Sequence, residues 1–368
     1  MLHKKYIYVT AKLFNNRKIA SYGLLALVYV VMNCSFFDNE NGINTKGVWA
    51  ESGLQNIKIN TLKYDTGDFL VTTVEGAYKK EQAMYISIGL NQFNVADIVK
   101  LDERVFISVI PSPNPEGFSN GDTTIYKTED KGQTWMPFLG NFGGERKDTY
   151  IEKLSVDRTN RTNLFARKSM AIILSEDQGF SWILQRSTWG SIGGLAGFMY
   201  IDPFHENMLW AGGVNGLSQP YIFKSEDYGE TWDYNEAIAA PPGAGGICWD
   251  LLTSPDSRDI AMVGMSGLIK KTTDGGDIWK EVFRGRRSLY TMERSPRNPK
   301  RIYATGDNED GTLFFMASTD FGDSWTYAEF KDGPAGLHTN DLVAVMENGK
   351  EVLYFGTTKG VYSFTFEK

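Results

Sequence analysis

The chain has 368 residues, of which 42% are hydrophobic and 23% are charged, and its formal charge at neutral pH is −7. These proportions are typical of a folded, soluble protein, either two ordinary domains or one large all-β domain. The acidic balance argues against nucleic acid or an anionic membrane surface as a partner. The 38 glycines and the aromatic content of 13% favour strands and turns over helices.

The N-terminal segment differs from the rest of the chain. Residues 1–33 carry five basic residues and no acidic ones, and they end in the apolar stretch YGLLALVYVVMN. This run is too short to span a bilayer but suits the apolar region of a secretory signal peptide. Cys34 follows at once, and residues 34–46 are polar, as a tether would be.

The position of Cys34 resembles the lipobox of bacterial lipoproteins, in which that cysteine is acylated and becomes the mature N-terminus. An uncleaved signal anchor and an ordinary signal peptide are the alternatives. The resemblance implies a chain that is exported and lipid-anchored at Cys34 in the cell envelope, on the periplasmic or surface side. The lipid would be its only contact with the membrane.

Cleavage before Cys34 would leave 33 of the 38 basic residues against 45 acidic ones, a formal charge of −12. The only other cysteine is Cys248. If Cys34 is acylated, neither a disulfide nor a cysteine metal site can form within the chain. We expect no cofactor and no metal.

A motif of the form Ser/Thr-x-Asp-x-Gly-x-x-Trp occurs five times, and its aspartates are 46 to 50 residues apart. A period of this size indicates a repeated supersecondary unit such as a propeller blade. The carboxylate can accept backbone N–H bonds in a tight turn, the glycine allows a positive φ, and the tryptophan can wedge against the blade. The motif therefore predicts a structural turn, with the five aspartates Asp130, Asp177, Asp227, Asp274 and Asp320.

A second repeat consists of seven polar turns, each followed by a short apolar strand, with a mean period of 47 residues from 65 to 347. Each unit contains four short strands, except that the last ends after its third strand at residues 360–368. The stretch GVWAES, residues 47–52, can supply the missing strand. The sequence predicts an all-β fold over residues 47–368. We expect one seven-bladed β-propeller of four-stranded antiparallel blades, closed by an N-terminal strand that completes the last blade.

The five-fold motif resembles the Asp-box, or BNR repeat. This repeat is shared by sialidases, sortilin-type receptors, xyloglucan-cleaving glycoside hydrolases and photosystem II assembly factors. The resemblance covers nearly all of residues 47–368, although the first unit lacks the motif and the last has only Trp49. It implies a propeller fold, but its members include both enzymes and binding proteins.

Ligands of propellers usually meet the face where the variable loops surround the central channel. On that face Trp189 and Trp249 can serve as stacking platforms, or they pack within their loops. A cluster of three arginines, Arg284, Arg286 and Arg287, can bind a carboxylate or phosphate. Alternatively, these arginines pair with neighbouring acidic residues in a solvated loop. The binding candidates are Trp189, Trp249, Arg284, Arg286, Arg287, Tyr290 and His338.

Asp250 and Asp341 stand near the starts of predicted inner strands, where a glycosidase would place its two carboxyl groups. A sialidase-like enzyme would need three arginines from separate blades and usually shows an Arg-Ile-Pro stretch. This sequence has no Arg-Ile-Pro, and its central arginines are crowded into one loop. Xyloglucanase-type relatives typically pair two propellers, whereas one is predicted here. The sequence therefore favours a non-catalytic, envelope-anchored scaffold that holds a protein, peptide or glycan. A secreted glycoside hydrolase is the alternative.

Overall fold

The computed structural model describes residues 46–111, 123–138, 151–168, 171–187, 195–235, 246–308 and 310–367. Every described residue belongs to one compact unit, Glu40–Lys368. The expected signal peptide, most of the tether with Cys34, and Trp189 lie outside the described residues. No helix in the described ranges is long and apolar enough to cross a membrane.

The regular elements of the described residues are all β-strands, most of them short stretches of alternating apolar residues bounded by turns rich in Gly, Asp and Asn. In chain order they are β1 (Gly47–Gly53), β2 (Ile59–Asp65), β3 (Asp68–Thr73), β4 (Gly76–Glu81), β5 (Met84–Ser87), β6 (Asp97–Lys100), β7 (Phe106–Pro111), β8 (Thr123–Thr128), β9 (Met136–Phe138), β10 (Ile151–Val156), β11 (Leu164–Lys168), β12 (Ala171–Ser175), β13 (Ile183–Ser187), β14 (Leu195–Ile201), β15 (Leu209–Val214), β16 (Pro220–Ser225), β17 (Asp233–Asn235), β18 (Cys248–Thr253), β19 (Ala261–Thr272), β20 (Lys280–Arg294), β21 (Ile302–Asp307), β22 (Phe314–Ser318), β23 (Thr326–Glu329), β24 (Thr339–Glu347), β25 (Lys350–Thr357) and β26 (Gly360–Phe366).

The strands form an all-β propeller, but the prediction of seven four-stranded blades is wrong. Five sheets have four antiparallel strands: β2–β5, β6–β9, β10–β13, β14–β17, and the sheet β1-β26-β25-β24. The remaining strands, β18 to β23, form one six-stranded sheet. The structure therefore has five four-stranded blades rather than seven.

The six-stranded sheet arises because two of its strands are unusually long. β19 has 12 residues and β20 has 15, and each pairs with one neighbour through its first half and with another through its second. No proline, aspartate or asparagine interrupts residues 261–271 or 280–294. Without those turn-forming residues the chain continues within the sheet instead of leaving it in a loop.

The predicted closure by an N-terminal strand is confirmed. β1 pairs antiparallel with β26, from Gly47 opposite Phe366 to Gly53 opposite Val361. Trp49 lies in an aromatic cluster, with ring centroids 5.0 to 5.8 Å from those of its neighbours. This closure covers the outer edge of β26. Burial of the Trp49 side chain in the cluster stabilises the fold by about 2–3 kcal/mol. The neighbours of Trp49 are Phe315, Phe330, Phe355 and Phe364.

The motif turns share one hydrogen-bond pattern, which the turn at Asp177 illustrates. Ser175 Oγ donates to Asp177 Oδ1 (2.8 Å) and accepts the N–H of Gly179 (2.7 Å). Asp177 Oδ1 also accepts the backbone N–H of Ser181 at 2.8 Å. Gly179 has a φ of 91°, and the buried Trp182 donates its indole N–H to the Gly179 carbonyl.

The turns at Asp130, Asp227, Asp274 and Asp320 repeat the bonds to Ser or Thr and to the downstream backbone N–H. At Asp130, the hydroxyl and backbone N–H of Thr134 are the main causes that lower the pKa of the carboxyl to about 2. Each aspartate is therefore held inside its own turn.

Candidate binding channel

The inner strands of the sheets enclose a central channel. β24, β2, β6, β10, β14, β18 and the second half of β20 contact one another in this order, and β20 closes the ring by contacting β24. The channel has a volume of about 1160 Å³ and is lined by residues from all of these strands. Its loop-face opening, where the inner strands begin, is called the mouth below.

A β-bulge occurs near the start of most inner strands, at the same level around the ring. The register shifts at this level in β2, β10, β14, β18, β20 and β24. A bulge inserts one residue and redirects the neighbouring side chains. The bulges thus place one additional residue per strand at the mouth, namely Asn60, Glu152, Gly197, Trp249, Tyr290 and Asn340.

Three aspartates that lie next to this level join neighbouring inner strands. Asp97 Oδ2 accepts the N–H of Leu154 on the next inner strand at 2.7 Å. Asp250 and Asp341 make the equivalent bonds to the N–H groups of Met292 (2.7 Å) and Leu62 (2.9 Å). In each case Oδ1 accepts the N–H of the residue that follows the aspartate.

Asp250 and Asp341 are therefore bound by two backbone N–H groups each. Burial raises the pKa of Asp250 to about 7, although the N–H groups of Met292 and Leu251 act in the opposite direction. Burial also raises the pKa of Asp341. The geometry gives both carboxylates a role in holding the ring together, which they share with Asp97.

Three of the predicted binding residues meet at the mouth. The rings of Trp249 and Tyr290 lie edge to face with centroids 5.3 Å apart, and Trp249 Nε1 donates to Ser266 Oγ (3.2 Å). Tyr290 donates its hydroxyl to Asp307 Oδ2 at 3.3 Å. His338 Nδ1 lies 3.1 Å from the same oxygen, and half of the imidazole remains exposed.

Asp307 was missed as a site residue by sequence reasoning. It is the last residue of β21, and its other oxygen accepts the N–H of Thr339 at 3.2 Å. The stretch that contains it, residues 307–310, reads Asp-Asn-Glu-Asp, a polar composition typical of a turn. The sequence signal that could have identified Asp307 is its position at the loop-face end of a predicted strand. His338 has a similar position next to β24.

One residue of the predicted arginine cluster, Arg284, does not form part of this arrangement. Arg284 makes a bidentate ion pair with Glu281 on the first half of β20 and does not line the channel. The side chains of Arg286 and Arg287 lie outside the described part of the structure, and so does Trp189. For these three residues the sequence-based expectation stands as a prediction.

Cys248 is a free, fully buried cysteine, and burial raises the pKa of its thiol. Within the described residues, no group of three or more His, Cys, Asp or Glu side chains could hold a metal ion.

No protein-family model matches the chain, and no curated protein matches it in sequence. Solved structures match in fold. The GH74 enzyme of Niastella koreensis has 18% identity and a TM-score of 0.62, over 86% of this chain and 53% of the enzyme. YCF48 from Cyanidioschyzon merolae has 10% identity and a TM-score of 0.59, over 87% of this chain and 98% of YCF48.

The extracellular domain of a putative hybrid two-component system, BT4673 of B. thetaiotaomicron, has 10% identity and a TM-score of 0.61, over 88% of this chain and 40% of that one. The chain thus spans about half the length of the GH74 enzyme and nearly all of YCF48. Similarities at these identities establish the fold and not the activity. The chain is a β-propeller with a polar central channel.

Proposed function

We propose that the protein is a non-catalytic binding or assembly scaffold that holds a protein, peptide or glycan at the mouth of its channel. The observation that carries the proposal is the group formed by Trp249, Tyr290, Asp307 and His338 above a channel of about 1160 Å³. It combines aromatic surface with a few convergent polar groups, which is the composition of a ligand site.

The structural use of Asp250 and Asp341 supports binding over hydrolysis. A glycosidase needs one carboxyl group that can give up its proton and another that can act as base or nucleophile. Here both carboxylates accept two backbone N–H bonds and repeat the arrangement of Asp97. The similarity to a GH74 enzyme does not alter this argument. At 18% identity it indicates the fold and not the activity, and YCF48 is similar to this chain in fold as well.

The proposal includes the location and the repeat family. We propose that the five motif turns make this an Asp-box propeller, and that the chain is exported and lipid-anchored in the cell envelope at Cys34. The hydrogen bonds shared by the five turns support the first part, and the order of basic residues, apolar run and cysteine supports the second.

The test uses the purified full-length chain and a mixed pool of compounds. The pool contains peptides, sialylated oligosaccharides and β-linked oligosaccharides. Mass spectrometry follows both cleavage and retention of each compound. We expect retention without cleavage, and we expect Trp249→Ala to abolish it. Phe204→Ala is the matched control, because Phe204 is a partly exposed aromatic residue in the turn after β14, on the opposite face.

Cleavage that disappears in Asp250→Asn or Asp341→Asn, with the fold intact, would instead identify a glycoside hydrolase. Retention that survives Trp249→Ala would move the binding site away from the mouth.

A further inference from the structure

One wall of the channel carries several acidic side chains. The wall formed by β18, β20 and β24, called the acidic wall below, carries Asp250, Glu293 and Asp341, with Asp307 at its rim. Its arginine, Arg294, is directed away from this group and donates to the Thr253 and Pro299 carbonyls and the Tyr200 hydroxyl. The lysines that line the channel lie on or next to β2, β6 and β10, of which β2 is the neighbour of β24.

The lysines of the channel act on the acidic wall through their charge. Lys63 on β2 is 2.7 Å from Asp97 and pairs with it, and it also interacts with the charge of Asp341. The charge of Lys153 on β10 opposes the rise in the pKa of Asp341 and of Asp250. Neither lysine forms an ion pair with a carboxylate of the acidic wall within the described residues.

Glu293 is the group on the acidic wall that lacks a partner. It lies three residues beyond Tyr290 on β20, about 10 Å deeper in the channel. Among the described residues its carboxyl makes no hydrogen bond and no ion pair. Burial raises its pKa to about 8; Arg158 opposes the shift, and Asp341 and Asp250 add to it by repulsion.

The approach to Glu293 suits a positively charged group. Trp249 and Tyr290 stand at the entrance, and aromatic faces attract ammonium and guanidinium ions. Asn60 and Asn340 direct their amide N–H groups at neighbouring backbone carbonyls, which leaves their oxygens as acceptors.

We propose that the acidic wall binds the side chain of a lysine or arginine from a peptide, which enters between Trp249 and Asn340 and ends at Glu293 and Asp250. This inference rests on the proposed binding function and specifies its ligand. A long unbranched side chain reaches down a narrow channel, whereas an amine on a sugar requires the ring itself to enter. The guest brings a positive charge into direct contact with Glu293, which has no hydrogen-bond or ion-pair partner among the described residues.

The first experiment measures binding by titration calorimetry at pH 8.5, with N-acetyl-arginine amide and its neutral counterpart N-acetyl-citrulline amide. We expect the arginine compound to bind about tenfold more tightly. Glu293→Gln keeps the shape of the side chain and should remove most of this preference. The control Glu206→Gln removes an exposed carboxylate after β14, on the opposite face, and should leave the preference unchanged.

The second readout is the pH dependence of binding. The cation binds the ionised carboxylates, so affinity should rise as pH increases through about 7 to 8, where Asp250 and Glu293 lose their protons. The other charged groups facing this part of the channel are Lys63, Asp97, Lys153, Arg158, Arg294, Asp307 and Asp341.

Three results would overturn the inference. They are equal affinity for the arginine and citrulline compounds, an unchanged preference in folded Glu293→Gln, and tighter binding of glucosamine than of the arginine compound. The inference and the proposed function can fail separately. If the compound pool is still retained through Trp249 but the charge of the ligand makes no difference, the binding scaffold stands and the cationic ligand is rejected.

Discussion

Asp97 offers the strongest test of how the ring of inner strands is held together. Its carboxylate is fully buried and lies 2.7 Å from Lys63 Nζ. It also accepts the N–H groups of Leu154 (2.7 Å) and Ile98 (2.8 Å). The change Asp97→Asn keeps the volume but removes the charge and turns an amide N–H₂ toward a donor.

The expected cost follows from these contacts. Removing one partner of a buried ion pair leaves the other uncompensated, which typically costs about 3–5 kcal/mol. Lys63 retains part of its solvation, since its side chain is 27% exposed, so we expect about 3 kcal/mol. Lys63→Met should also destabilise the protein, because Asp97 is then the buried charge without a partner.

The assay is unfolding in guanidinium chloride, followed by tryptophan fluorescence, for the wild type, both single variants and Asp97→Asn/Lys63→Met. The double variant should cost less than the sum of the singles by about 1–3 kcal/mol. A loss below about 1 kcal/mol for Asp97→Asn, or strict additivity, would refute the reasoning.

The same pair predicts a pH dependence. Burial alone would raise the pKa of Asp97, but the charges of Lys63 and Lys153 and the N–H of Leu154 outweigh it and hold the pKa below its ordinary value. The stability from this carboxylate is therefore present above the unfolded pKa of about 3.9 and is lost as pH falls through the folded pKa. The difference in stability between wild type and Asp97→Asn should shrink on acidification, and a constant difference would contradict this.

Three further predictions concern stability. Ser175→Ala should cost about 1–3 kcal/mol in denaturant unfolding, because the N–H of Gly179 loses its acceptor; an equal loss from the exposed Ser181→Ala would argue against this cause. Trp49→Ala should cost about 3 kcal/mol by the same assay and Trp49→Phe clearly less, so equal losses would mean that the aromatic cluster does not hold β1. Glu293, whose folded pKa is raised to about 8, contributes stability that is complete below its unfolded pKa of about 4.3 and lost as pH rises through 8. Glu293→Gln should therefore gain on wild type as pH rises from 5 to 9, and parallel pH profiles would exclude this role.

The repeat unit and the closing strand could be predicted from the sequence because they have local signatures. Turn residues at fixed spacing marked the hairpins, and the lone strand around Trp49 matched the strand missing from the last sheet. The number of separate sheets could not be predicted in the same way. β19 and β20 contain the expected apolar segments. Whether the chain leaves a sheet between two such segments depends on the turn-forming residues Pro, Asp and Asn, which are missing from residues 261–271 and 280–294.

The site was only partly predictable, for a different reason. Trp249, Tyr290 and His338 were found because they lie in loops or strand starts on one face. The roles of Asp307 and Glu293 depend on contacts between residues far apart in the chain, such as Asp307 with His338. The structural role of Asp250 likewise depends on the N–H of Met292, 42 residues later, which no local pattern indicates.

The pairing of β1 with β26 also constrains when the ring can be completed. The N–H of Glu367 donates to the Lys46 carbonyl, so the pairing is complete only after residue 367 has been made. At common rates of synthesis this imposes a wait of roughly 15–60 s after β1 is made. During that interval β1 exposes both of its edges, and the last sheet lacks its outer strand. The aromatic surface around Trp49 therefore stays incompletely covered until that point in synthesis.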